Sequence, residues 1–513
     1  MGTLIMCESL LLSFFPLLLL LSISTLIQWR FSPARHLQNS GPISYPMIGC
    51  LISFYKNRRR LLDWYTEMLS ASPSQTILIS RLGARRTIVT ANPRNVEYIL
   101  KTNFTNFPKG KPFTDILGDF LGNGIFNVDG DMWYHQRKLV VHQFNATSLR
   151  AYVEKVLKDE VERKLLPTME FAALEGRPVD LQELLRRFAF ELVCRVSLGY
   201  NPCCLEYDCL DARQPILEAF DTASDICARR GAAPLAAVWK IKRFMDYGSE
   251  KRLREAIGRI HLFVDGIVSE KKRKIMSCCE KGDERWDEMD LASKMVKDGM
   301  DDEFVRDTMI SLIMAGRDTT SAAMTWLFYL LSCHPHVGNE MARELTAIQC
   351  GDDMSRFERQ KELRWLKACI CESMRLFPPV AWDSKHATAN DELPDGTKVR
   401  AGDRVTYFPY GMGRMKSLWG EDRFEFKPER WVSEVERGKV KALKNYGPYK
   451  FSVFQAGPRT CPGKEMAFIQ MKYVVASIME RFVIRPLIPD RPVYVPLLTA
   501  HMARGFKVCV SRR

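Results

Sequence analysis

Apolar residues recur every three to four positions, with charged residues on the opposite face, over Leu149–Leu166, Leu181–Leu198, Leu253–Met276, Asp301–Ser332 and Val337–Thr346. That period predicts amphipathic helices. A further helical run covers Leu366 to Leu376, and another Lys464 to Phe482. Period-two stretches are short: Thr76–Ser80, Thr87–Thr90, Lys398–Arg400 and Arg404–Tyr407 read as strands. Leu393-Pro-Asp395-Gly396-Thr reads as a turn between two of them. A polar stretch from about Ser277 to Arg285 breaks the helical pattern and reads as a mobile loop. The expectation is a mainly helical fold with a minor β-sheet region.

One stretch has no periodicity. Leu10 to Ile27 carry no charge and are mostly Leu, Phe and Ile. Eighteen residues approach the minimum for a bilayer span. Pro16 kinks such a helix, which lipid tolerates. Only Glu8 precedes the run, and Arg30, Arg35, Lys56, Arg58, Arg59 and Arg60 follow it, so the body is expected on the cytosolic side. A cleaved secretory signal fits less well, because a basic leading segment and a small-residue cleavage site are missing. Ser40-Gly-Pro42-Ile-Ser-Tyr-Pro46-Met-Ile-Gly49 reads as a stiff connection. The expected organisation is a transmembrane anchor over 1–30, a Pro/Gly hinge over 31–51, and one catalytic domain over 52–513.

With 513 residues, 46% of them hydrophobic, the chain has ample material for a core. Its fifteen cysteines cluster at Cys203/Cys204/Cys209, Cys278/Cys279 and Cys369/Cys371, without zinc-site spacing. A reduced, cytosolic body fits that usage. The formal net charge of +14 brings no nucleic-acid recognition motif with it, so nucleic acid is not expected as a partner. An anionic membrane surface and an acidic protein partner account for the charge better.

The chemistry concentrates in Phe454-Gln-Ala-Gly457-Pro-Arg459-Thr-Cys461-Pro-Gly463. Gly457 permits a tight turn. Pro462 and Gly463 set the exit into a helix whose N–H groups stabilise a thiolate. Phe454 is placed to cover a metal, and Arg459 to pair with an anionic cofactor group. Taken alone, Cys461 reads as a small buried hydrophobe; the ten-residue pattern favours a thiolate ligand. Ala315-Gly316-Arg317-Asp318-Thr319-Thr320 makes a poor helix interior, with threonines able to bond backwards to carbonyls. The bland alternative is a weak spot in a helix. Glu372-Ser-Met-Arg375 puts opposite charges three apart on one helix face, and Pro428-Glu-Arg430-Trp431 adds a second arginine. Trp133 and Arg137 lie four apart on another face.

These four groups, which run along the chain from Trp133 to Cys461, resemble the haem-thiolate monooxygenases of the cytochrome P-450 superfamily. The resemblance implies that fold, with haem b between a long oxygen-groove helix and the cysteine loop. It implies Cys461 as axial ligand, O2 as co-substrate, and NADPH electrons delivered by an NADPH–cytochrome reductase. Ala315 and Gly316 would leave room above the iron, with Thr319 and Asp318 delivering protons. Trp133, Arg137, Arg459 and, in the place of a basic residue of relatives, His386 would meet the haem propionates. Glu372, Arg375 and Arg430 would form a buried structural triad.

Asn106 to Asn127 resembles the loop before the Trp-containing helix in plant fatty-acid ω-hydroxylases, and the run Gly457–Tyr473 resembles the branch that oxidises fatty acids and jasmonoyl–amino-acid conjugates. Phe107, Phe113, Ile116, Leu117, Phe120, Ile125 and Phe126 would line the distal pocket, with Leu497, Leu498 and Thr499 opposite. Val141, where relatives carry a serine, and Lys111 depart from the branch. The implied activity is terminal-carbon hydroxylation of a small lipophilic substrate in the endoplasmic reticulum membrane. The branch also includes members that oxidise a sterol side-chain end, so that substrate class stays open. Two further alternatives are a reductase-independent haem-thiolate isomerase or dehydratase, disfavoured by Asp318-Thr319 and decided by NADPH dependence, and a non-catalytic lipid or steroid binder.

Overall fold

Thr76-Ile-Leu-Ile79 and Thr87-Ile-Val-Thr90, rich in β-branched residues, form an antiparallel pair with Ile77 opposite Val89. Thr87–Thr90 then runs parallel to Arg404–Tyr407, which pairs antiparallel with Asp383–His386. Side chains alternate across a strand. One face of this four-stranded sheet therefore carries Ile79, Thr87, Val89, Arg404, Thr406, Ser384 and His386, all of which line a single cavity. The computed structural model describes residues 41–513, apart from 46, 146, 207–213, 234, 282–289, 350–355, 437–438 and 488–491. The expected anchor over 1–30 and the first half of the hinge lie outside the described residues. No helix among the described residues is long and apolar enough to cross a membrane.

Helices make up the rest. The longest fully described one, Asp302–Cys333, starts where the Asp301 carboxylate accepts from the N–H groups of Glu303 and Phe304. It packs along Leu181–Leu198, itself capped by Asp180 and closed by Gly199 at φ +57°. Apolar faces of Lys464–Arg481 and Arg364–Leu376 complete one core around Trp326, Leu366 and Tyr473. A second core lies under Pro215–Ala232 and Ser249–Lys281. A third backs the sheet.

Three expectations are corrected. The first half of the anticipated loop at Ser277 is helical, because Ser249–Lys281 continues through it; residues 282–285 lie outside the described residues. The helix begun near Leu149 does not stop at Leu166 but passes a π-turn at Val161–Leu165 and runs to Glu175, with Pro167 in the first turn of the new segment, where its missing N–H costs little. The segment Asn106 to Asn127 is no simple loop. Gly110, at φ +72°, leads into a helix Lys111–Leu121 with Pro112 in its first turn. Its apolar Phe113, Ile116, Leu117 and Phe120 follow helical spacing that the flanking glycines obscure.

Candidate active site

Gly457 fixes the cysteine loop. Its φ is +62°, and a Cβ there would fall 1.9 Å from the Leu100 carbonyl oxygen, so no other residue fits. The Cys461 N–H donates to the Phe454 carbonyl at 2.8 Å, closing the loop on itself. Gly463 then opens Lys464–Arg481. Burial pushes the Cys461 thiol up, while the Gly463 N–H, Arg137 and Lys464 act in the opposite sense. Phe454 packs on Phe468, with ring centroids 5.3 Å apart.

In the cavity that Cys461 also lines, the Thr319 hydroxyl donates to the Ala315 carbonyl at 2.6 Å within the long helix. Ala315, Gly316 and Thr319 all line the cavity. A Cβ on Gly316 would stand 2.9 Å from Val193 Cγ2. The glycine thus sets how closely the long helix approaches Leu181–Leu198, and does more than leave space. Asp318 does not line the cavity. Its Oδ1 lies 3.2 Å from Arg317 Nε, and Arg317 is buried and ion-paired with Asp221. The acid anticipated beside the oxygen groove is held on the outer side by that pair.

Cations crowd the cavity edge near the loop. The Arg459 guanidinium lies 4.6 Å from the Trp133 ring centroid. Its Nη2 donates to the Val128 carbonyl at 2.9 Å and to Asp129 Oδ1 at 2.6 Å, and its buried Nε has no partner. Arg137 lines the same cavity, and burial lowers its pKa. Asp383 receives Lys109 Nζ, the Tyr407 hydroxyl at 3.0 Å and Gln455 Nε2 at 3.0 Å. Burial alone would raise Asp383, but Lys109 and Lys385 hold it well below the usual carboxylate range. Lys385 is wholly buried, 3.7 Å from Asp383, with no hydrogen bond, and within electrostatic reach of Arg459 and Asp129. His386 points its Nδ1–H at the Lys109 carbonyl, 2.5 Å away, and sits on the opposite sheet face from Lys385. Burial pushes its pKa down to about 4, so it is neutral and offers no charge.

His386 lines the cavity and its Nε2 is buried without a partner, whereas Lys385, one residue earlier, is not among the lining residues and burial pushes its pKa well below the ordinary lysine value. The Arg459 Nε, buried at the cavity wall without a hydrogen-bond partner, is what a group bearing carboxylates would satisfy. The donor set thus fits haem, with a thiol on one wall and a basic edge beside it.

Glu372 and Arg375 are both fully buried. Arg375 Nε and Nη2 donate to Glu372 at 2.8 Å each, and Arg430 Nε at 3.3 Å. Glu372 also accepts the Trp431 indole N–H at 2.8 Å and the Lys427 N–H at 3.1 Å. Arg375 further donates to the carbonyls of Arg423 and Glu425. The cluster ties helix Arg364–Leu376 to the segment leading towards the cysteine loop.

The cavity itself holds about 540 Å³. Phe113, Ile116, Leu117, Ile125 and Phe126 line it, as do Leu497, Leu498 and Thr499. Phe107 and Phe120, expected in the lining, are not there. Both are fully buried in cores, Phe107 edge-on to Tyr98 and Phe120 edge-on to Phe220. Lys111 is exposed at its helix start and Val141 is half-buried; neither lines the cavity.

Comparison with known proteins gives one answer. The family model described as Cytochrome P450 matches residues 40–501. The chain is 55% identical over 484 residues to "Cytochrome P450 94B1" of Arabidopsis thaliana, covering 94% of this chain and 93% of that protein. It is 41% identical over 476 residues to "Cytochrome P450 94A1" of Vicia sativa, covering 92% and 90%. The solved structure titled "Crystal structure of cytochrome P450DA heme domain" matches with a TM-score of 0.74 over 92% of this chain and 97% of that one; at 19% identity it speaks to the fold alone.

Proposed function

The chain belongs to the cytochrome P450 family and is a haem-thiolate monooxygenase, and from that premise we propose that it hydroxylates the terminal carbon of a long apolar substrate, a fatty acid or a fatty-acid-derived jasmonoyl conjugate. A haem held by a cysteine thiolate activates O2 with electrons drawn from NADPH through a reductase partner. The observation that supports the reading is a cavity of about 540 Å³, walled by Phe113, Ile116, Leu117, Ile125, Phe126 and Leu498, that meets Thr319 and Cys461 at one site.

Each residue then has a task. Cys461 would hold the haem iron through its sulfur, with the Gly463 N–H and Arg137 favouring its thiolate. Trp133, Arg137 and Arg459, with His386 on the same cavity, would meet the propionates. Phe454 shields the sulfur from water. Thr319, already donating to the Ala315 carbonyl, offers its oxygen to hold a water and pass a proton inward. Asp318 supplies that proton only after leaving Arg317, so its ion pair acts as a brake. Glu372, Arg375 and Arg430 keep the core beneath the haem rigid. Methyl hydrogens are harder to remove than methylene hydrogens, so terminal attack requires a narrow apolar channel that presents only the tip. The uncharged run Leu10–Ile27 and the cations after it support an anchor in the endoplasmic reticulum membrane with the catalytic domain in the cytosol.

The test is to supply reductase-containing microsomes with a fatty acid, a jasmonoyl conjugate and a sterol, and to identify products by mass spectrometry. A terminal alcohol of either acyl substrate, dependent on NADPH, is expected. Oxidation of the sterol alone, or product without NADPH, would overturn the assignment.

A further inference from the structure

Most deeply buried arginines here meet a carboxylate. Arg230 pairs with Glu250, Arg317 with Asp221, and Arg375 with Glu372. Two arginines on the sheet side of the cavity do not. Arg81 lies just beyond Thr76–Ile79. Its guanidinium rests on the Phe54 ring at 3.9 Å, Nη2 reaches the Ala233 carbonyl at 3.5 Å, and Nη1 is buried without a partner. Arg404 opens its strand opposite Thr87 and His386, and its Nε is likewise buried and unpartnered. Both line the cavity, as does Tyr65. Burial lowers the pKa of both, Arg81 lowers Arg404 further, and the Tyr65 hydroxyl acts in the opposite sense on each. No aspartate or glutamate is paired with either among the described residues. Two like charges share a part-buried wall with Leu61, Ile79 and Val89 and lack an anion.

Such an arrangement is costly unless an anion arrives to complete it. Guanidinium groups match a carboxylate in geometry and charge. We propose that Arg81 and Arg404, with the Tyr65 hydroxyl, hold the carboxylate of an acyl substrate at the sheet wall of the cavity. The clamp and the Thr319–Cys461 site line one cavity, so in this proposal a chain anchored by its head runs along the apolar lining and offers its far end to the oxygen site. The clamp makes the enzyme read both ends of its substrate: charge at one, reach at the other. It rests on the terminal-hydroxylase reading, and it favours substrates with a free acid over neutral sterols.

The experiment uses the full chain loaded with haem and supplied with reductase, and compares dodecanoic acid with methyl dodecanoate. Binding is read from the change in haem absorbance, and turnover from product. The acid is expected to bind roughly ten- to a hundred-fold more tightly than the ester, as a charged hydrogen-bonded contact should. In the Arg81→Gln/Arg404→Gln variant that preference collapses towards unity through loss of acid affinity. The carbon monoxide difference spectrum stays unchanged. Thermal stability without substrate holds or rises, because repulsion is relieved; a purely structural role would lower it. Arg404→Lys keeps part of the preference. Equal binding of acid and ester by the unaltered protein, or a folded double variant that keeps the full preference, overturns the clamp. Terminal hydroxylation of dodecanoic acid in that case leaves the hydroxylase reading intact, whereas absence of any terminal product sinks that reading itself.

Discussion

Single side chains decide the chemistry. Cys461 is the residue on which the oxygen chemistry turns, and Cys461→Ser is expected to abolish the thiolate-type carbon monoxide difference spectrum; an unchanged spectrum would exclude it as ligand. Thr319 lines the cavity and bonds back to Ala315, so Thr319→Ala is expected to leave haem content intact while NADPH consumption outruns product. Coupling equal to that of the unaltered protein would remove Thr319 from proton delivery. His386 titrates against stability. Its pKa falls from the ordinary value of 6.5 to about 4 on folding, so the unfolded chain binds more protons between those values. Stability is therefore fully present above about 6.5, declines as pH falls through that window, and levels below about 4, losing on the order of 3 kcal/mol at most. His386→Asn should flatten that slope in urea titrations at stepped pH.

At the scale of elements, two contacts hold the site's frame. Where Gly316 meets Val193, a methyl group has no room. Gly316→Ala is expected to cost about 1–3 kcal/mol by overpacking, and Val193→Ala in the same chain to recover much of it. Independent, additive effects in a double-mutant cycle would refute direct contact. The Glu372 cluster is the second. Arg375→Ala leaves a carboxylate with no solvent exposure facing only Arg430, Trp431 and a backbone N–H, and should cost about 3–5 kcal/mol with poor haem retention. A denaturation midpoint near that of the unaltered protein would show that the cluster is dispensable. The Asp318–Arg317–Asp221 chain belongs to the same scale, because it joins the long helix to Pro215–Ala232.

For the molecule as a whole, a cavity edged by unpartnered cations means that the fold and the cofactor are thermodynamically linked. Stripping haem should lower the melting temperature and restore it on reloading, with about 4 kcal/mol at stake when haem exceeds its dissociation constant a thousand-fold. Local periodicity was enough to read the helices at Leu181–Leu198 and Asp302–Cys333 and the strands at Thr87–Thr90 and Arg404–Tyr407, because each buries one continuous face. It was not enough at Lys111–Leu121, where glycines at both ends disguise a helix as a loop. The chain's linear order of motifs, from Trp133 through Thr319 and Glu372 to Cys461, determined the family and the oxygen chemistry, since a ligand thiol and its turn residues are neighbours in sequence. Which cations reach which end of the cavity was decided only in three dimensions. Arg459 meets Trp133 and Asp129, Phe107 and Phe120 belong to cores, and Arg81 and Arg404 line one cavity from positions more than three hundred residues apart in the chain. Burial and charge pairing are properties of that assembled environment, and no stretch of sequence carries them alone.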